Sequence, residues 1–197
     1  GSAVAMVADV TVEGAPDDIV NGALSEFNRI DILVNNAGVF VWKNLFELDY
    51  SDWSRTIDTN LGAPFHLTRI AGKTMANQGT GGSIINIASI HGQVGDPNVV
   101  AHCASKFGLV GLTKASADAL REHQVRVNAI APGAIDSNSL DRWGAGPHQK
   151  VTQADIASLV VYLSSDLSSS VPGSVIEMYG STHRDIKILT LIHLCRC

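Results

Sequence analysis

Cysteine is scarce in this sequence: three residues in 197, two of them (Cys195 and Cys197) within the last three positions. An odd, sparse count excludes a disulfide framework and fits reduced thiols, so a cytoplasmic location is expected. Cys195-Arg196-Cys197 has only His193 nearby, too few ligands for a metal clip, and no metal is expected. Charged residues make up only 17%, with a net charge of −5 and no cluster of Lys and Arg. That excludes a nucleic-acid surface, which needs grouped cations to neutralise phosphates. No apolar run nears the roughly 20 residues required to span a bilayer, so no membrane partner is expected. The opening Gly1–Met6 has neither the positive start nor the apolar stretch of a secretory leader.

What is present is a hydrophobic fraction of 45% in a chain of 197 residues, enough for one core. Short apolar runs alternate with stretches of helical spacing. Val4–Ala8, Ile32–Val34, Ser83–Ala88, Val125–Ile130 and Ser174–Met178 read as buried strands. Pro16–Phe27, Ser51–Met75, Pro97–Leu120 and Gln153–Leu163 read as helices, the second bending at Gly62-Ala63-Pro64 and the last capped by Thr152. Asp136–Lys150 is polar and aperiodic and reads as a loop. Strands alternating with helices imply an α/β fold, a Rossmann-like parallel sheet with helices on both faces. Residues 1–180 are expected to form one such domain, and 181–197 a divergent tail. Ligands of such a sheet sit beyond the carboxyl ends of its strands, where Asn35–Gly38, Ser89–Gly92 and Pro132–Asn138 should converge.

Read in order, several pieces are similar to the short-chain dehydrogenase/reductase family. They are Asp9-Val10-Thr11, Asn35-Asn36-Ala37-Gly38, Asn60, Ile84–Ser89, Ser105-Lys106-Phe107-Gly108 and Asn128–Gly133. The resemblance covers most of the chain from Asp9 to about Gly180. It implies a catalytic group of Ser89, Asn60, Lys106 and a tyrosine. It also implies NAD(P) contacts from Asp9, Asn36, Ala37, Gly38, Lys106, Pro132 and Gly133. His91 and Trp143 are expected to touch a small-molecule substrate. The resemblance further implies a homodimer or homotetramer, paired through helices Ser51–Met75 and Pro97–Leu120, with Gly108, Gly111 and Ala115 permitting close approach.

Two departures shape the functional expectation. The family opens with a strand, a glycine-rich turn and a helix that holds the cofactor pyrophosphate; this chain is expected to start after that first βαβ segment, a truncated form. The family pattern Tyr-x-x-x-Lys reads His102-Cys103-Ala104-Ser105-Lys106 here. Imidazole titrates near 6.5 and phenol near 10, and an adjacent ammonium disfavours the imidazolium further. The sequence alone therefore favours a non-redox enzyme without a cofactor. In it His102 acts as general base on a carbonyl or enol (isomerisation, cyclisation, dehydration or an aldol-type step), with Ser89 and Asn60 supporting an oxyanion. The alternatives are an NAD(P)-dependent oxidoreductase interconverting alcohol and ketone, and an inactive binding protein of the same fold. Without the leading strands, Ile32–Val34 becomes a bare edge, and Val4–Ala8 is expected to pair beside it or with another chain.

Overall fold

The computed structural model describes residues 1–135 and 150–180. Four strands form one parallel sheet in the order β1-β2-β3-β4: Ile32–Asn35, Gly82–Ile87, Val125–Pro132 and Val175–Met178. Their register sets Asn35 beside Asn86, Asn86 beside Ala129, and Pro132 beside Met178. The helices are α1 (Ala15–Phe27), α2 (Tyr50–Ile57), α3 (Ala63–Gln78), α4 (Val100–Ala119) and α5 (Gln153–Ser164).

Alternation along β2 and β3 assigns the faces. Ile84, Val125 and Val127 pack with Met75 of α3 and Ala117 of α4. Ile85 and Ile130 pack with Leu163 of α5. Val20 of α1 joins Leu67 and Ala71 of α3 on the first face. Three helices thus cover one face and α5 the other, the expected α/β layering. Local chemistry sets the helix ends. Thr152 and Asp155 form a reciprocal capping box, with Thr152 Oγ1 accepting from Asp155 N (3.1 Å) and Thr152 N donating to Asp155 Oδ2 (2.9 Å), an arrangement that satisfies two otherwise orphaned donors. The stretch Ser51–Met75 is interrupted by a π-helical turn, Asp58–Gly62, just before Pro64. Such turns concentrate at functional sites, and this one carries Asn60.

One expectation fails. Val4–Ala8 is not a strand: it is exposed throughout and pairs with nothing in the sheet. An apolar run forms a strand only where a ladder partner waits, and here Met6 instead lies against Gly22 of α1. β1 is therefore an edge, as expected, but Val4–Ala8 does not move beside it; Ile32 and Val34 are exposed because α5 covers only β2, β3 and β4. Gly108 is half-buried. A Cβ there meets Leu61 Cδ2 at 2.6 Å, so its role is the close approach of α4 to the π-turn. Gly111 and Ala115 are exposed. Asp136–Gln149, including Trp143, and the tail 181–197 lie outside the described residues.

Candidate active site

The carboxyl ends of β1, β2 and β3 open onto one crevice of about 850 Å3, the location at which open parallel sheets take ligands. Of the expected site residues, Asn36, Gly38, Asn60, Ser89, His91, His102, Lys106, Pro132 and Gly133 all line it. Asp9 does not. It is exposed in a turn, where its carboxylate accepts from Thr11 N (2.9 Å) and Thr11 Oγ1 (2.7 Å). Ala37 does not line the crevice either, and Trp143 falls outside the described residues. The apolar contribution of Val39, Phe40, Ile135, Ile156 and Val160 was not legible in the sequence, because it depends on which loops and which face of α5 reach the opening.

A buried polar ladder supports the floor. Asn35 Nδ2 donates to Asn86 Oδ1 (2.8 Å) and Thr68 Oγ1 (3.2 Å), and Asn86 Nδ2 donates to Thr113 Oγ1 (2.9 Å). These bonds tie β1, β2, α3 and α4 together, and buried amides need such partners. Asn60, fully buried, is occupied: its Oδ1 accepts from Val39 N (2.8 Å), and its Nδ2 donates to Val39 O (2.9 Å) and Ser105 Oγ (3.2 Å). Its side chain braces the loop after β1, and Gly38 makes room for it, since a Cβ there comes within 3.3 Å of Asn60 Oδ1.

Ser89, two residues past the end of β2, is extended and caps a short 3-10 turn, Ile90–Gly92, with its Oγ accepting from His91 N (3.2 Å). That turn presses against α4 so tightly that a Cβ on Gly92 lies 2.8 Å from Lys106 O; only glycine fits. Across the crevice, α4 presents His102 and Lys106 one turn apart. Lys106 Nζ donates to Ile87 O (2.7 Å), and burial lowers its pKa to about 8. The His102 ring stands edge-on to Phe40 (centroids 4.8 Å) and to His91 (5.8 Å). Burial first, then the charges of Lys106 and His91, lower the His102 pKa to about 3. Its Nδ1 is buried without a hydrogen-bond partner in the protein. The ring is neutral throughout the physiological range.

The described residues contain no helix long and apolar enough to cross a membrane and no group of three His, Cys, Asp or Glu side chains placed to hold a metal ion. Comparison with known proteins decides the family. Residues 1–147 match the short chain dehydrogenase family. The chain belongs to that family. It is 34% identical over 186 residues to a 3-oxoacyl-(acyl-carrier-protein) reductase of Thermotoga maritima, covering 88% of this chain and 74% of that one. Among solved structures, a short-chain type dehydrogenase/reductase from Mycobacterium marinum superposes with a TM-score of 0.85 at 30% identity, over 91% of this chain and 75% of its own. A 4-hydroxyisoleucine dehydrogenase complexed with NADH and succinate superposes with a TM-score of 0.76 at 34% identity, over 88% of this chain and 78% of its own. The chain thus spans about three quarters of each of these short-chain dehydrogenases.

These relatives overturn the expectation of non-redox chemistry without a cofactor. The relatives that share the crevice-bearing part of the fold are a reductase and dehydrogenases, one of them holding NADH.

Proposed function

We propose that this chain is an NAD(P)-dependent oxidoreductase interconverting a small alcohol and its ketone. The observation that carries the reading is the meeting of Ser89, Lys106, Asn36, Gly38 and Pro132–Gly133 in one crevice, in a chain that shares a third of its residues with dehydrogenases. The crevice fits the nicotinamide–ribose half of such a cofactor. Lys106 is a buried ammonium with three protons to donate, of which the Ile87 carbonyl takes one, and ribose hydroxyls are acceptors of matching chemistry. Gly38 leaves the wall beside Asn60 open, and Pro132–Gly133 closes the far side.

When bound, the nicotinamide would supply or accept the hydride. The chain's residues do the rest. Ser89 Oγ, already accepting from His91 N, keeps its hydroxyl proton for the substrate oxygen, where negative charge develops during reduction. Lys106 holds the ribose and lends positive charge to the site. Asn60 fixes the Val39 backbone, and with it the loop after β1 that lines the crevice. We read His102 as standing where the family carries its tyrosine; held neutral, it is a hydrogen-bonding contact of the reacting oxygen. The substrate is a small molecule, and the mouth formed by Val39, Phe40, Ile135 and Ile156 favours one with apolar substituents.

We also infer that copies pair through α3 and α4, supported by exposed Phe65 and Phe107 and by the open space at Gly111. The function is tested by titrating NADH and NADPH into the protein while following nicotinamide fluorescence, then adding ethyl acetoacetate and recording absorbance loss. Binding of one cofactor with a Kd below about 1 mM, and its consumption with the ketone, are expected. Failure of both cofactors to bind overturns the reading.

A further inference from the structure

We infer that Ser105 is a positioning residue, a buried strut whose hydroxyl sets how the loop after β1 stands against α4 across the crevice. Its kinetic consequence rests on the redox reading above; its geometric part does not. Ser105 sits on α4 between His102 and Lys106 and is completely withdrawn from solvent. It does not line the crevice, so whatever it does there passes through its neighbours. Its Oγ donates to His102 O (2.8 Å) and accepts from Asn60 Nδ2 (3.2 Å). A hydroxyl has one proton to give. The bond to His102 O therefore fixes its rotation and leaves a lone pair for Asn60.

The far end of the strut is the π-helical turn. Asn60 donates one amide proton to Ser105 and the other to Val39 O (2.9 Å), while its Oδ1 accepts from Val39 N (2.8 Å). A continuous run of hydrogen bonds thus leads from the His102 backbone through Ser105 and Asn60 to Val39, the residue before Phe40. A serine that only satisfied itself would bond within its own helix; this one also joins segments 45 residues apart. One turn further along α4, a Cβ on Gly108 would lie 2.6 Å from Leu61 Cδ2. The π-turn is therefore clasped to α4 at two neighbouring points. Gly108 permits the approach, and Ser105 gives it a direction.

At the front of the same clasp, Phe40 meets the His102 ring edge-on with centroids 4.8 Å apart, and both residues line the crevice. The two walls are joined behind by hydrogen bonds and meet in front as rings. Without the Ser105 hydroxyl, one Asn60 N–H is buried with no acceptor, a state that proteins avoid by rearranging. Rotation of the Asn60 amide pulls on Val39 at both its N–H and its carbonyl. Phe40 then moves relative to His102, and with it the space in which alcohol and nicotinamide must be aligned.

The test has two arms on the full chain. In the first, NMR follows the Val39 amide and the Phe40 and His102 rings. Ser105→Ala is expected to shift all three and to weaken the contact between the rings, and Ser105→Thr, which keeps a hydroxyl, to return them toward the parent. In the second arm, Ser105→Ala is expected to lose roughly 10–100-fold in kcat for ethyl acetoacetate reduction, with a smaller change in KM. The double variant Asn60→Ala, Ser105→Ala should lose no more than Asn60→Ala alone, because both cut the same run of bonds. Should Ser105→Ala fail to fold, Ser105→Cys keeps the volume with a weaker donor and acceptor and carries the same comparison. A variant that loses stability in urea but keeps parental ring signals and kcat overturns the proposal, and so do additive losses in the double variant. A parent that binds neither NADH nor NADPH overturns instead the redox reading, and the NMR arm alone then decides the strut.

Discussion

The two walls of the crevice make an instructive pair. One is the turn after β2, with Ser89, His91 and Gly92; the other is the first half of α4, with His102 and Lys106. Each buries an imidazole to a similar depth, 4% exposed for His91 and 8% for His102. Burial disfavours the charged form of both. What separates them is the neighbouring charge: Asp96 beside one, Lys106 beside the other. A proton on His91 therefore meets a carboxylate that partly offsets its burial, whereas one on His102 meets an ammonium.

The largest effect expected is on the turn wall. Ser89→Ala removes the hydroxyl that meets the substrate oxygen and should lower kcat roughly 10²–10³-fold, with cofactor affinity little changed; a variant with parental kcat breaks the assignment of that wall to the reacting oxygen.

Next comes the buried charge on the helix wall. Because the folded pKa of Lys106 is lowered to about 8 from 10.5, the unfolded chain binds more protons between those values, and this residue's cost to stability is relieved as pH rises through them. The stability difference between parent and Lys106→Met should therefore move by about 2 kcal/mol in the parent's favour between pH 7 and pH 10, read by urea unfolding. A constant difference means the ammonium is better solvated than its burial suggests.

His102 sharpens the contrast from the acid side. Its folded pKa of about 3 against 6.5 means its stability contribution is complete above pH 6.5 and is lost as pH falls toward 3. Parent stability should drop by about 2 kcal/mol from this group between pH 7.5 and pH 5, and His102→Phe, which keeps a ring against Phe40, should lack that part of the drop. Equal acid sensitivity in both proteins places the loss elsewhere, His91 included.

The smallest effect concerns neither wall directly. Light scattering at micromolar concentration should give at least a dimer, and Gly111→Glu on the outer face of α4 should return monomers without altering the crevice. A parent that scatters as a monomer removes the proposed pairing of α3 and α4.

Much of the fold was legible because its signals are local. Alternating apolar runs and helical spacing marked β1 to β4, α1, α4 and α5 to within a few residues and read α2 and α3 as one bent stretch, and Thr152 announced the start of α5 through a cap that needs only its own first turn. Val4–Ala8 failed for the opposite reason: the composition of a strand does not supply the neighbour that makes it one. Gly108, read as permitting close approach between copies, permits close approach of Leu61 within the chain, since what meets a helix face is set by what packs on it. At the site, Ser89, His91, His102 and Lys106 were readable from their spacing after strand and helix starts. Asp96 was not, because Asp96-Pro97-Asn98 carries only the signature of a turn.

By itself the sequence determined a parallel α/β sheet, the order of its elements, and a set of chemical groups placed just beyond strand ends, because periodicity and turn chemistry act over a few residues. Only the tertiary structure decided which charge each histidine meets. Gly92 lets the turn after β2 lie against α4, and that approach puts His91 between Asp96 and His102, while the helical repeat alone puts Lys106 beside His102. Proton affinity in a buried site is decided over a few ångströms through space, a distance that the order of residues along the chain does not specify.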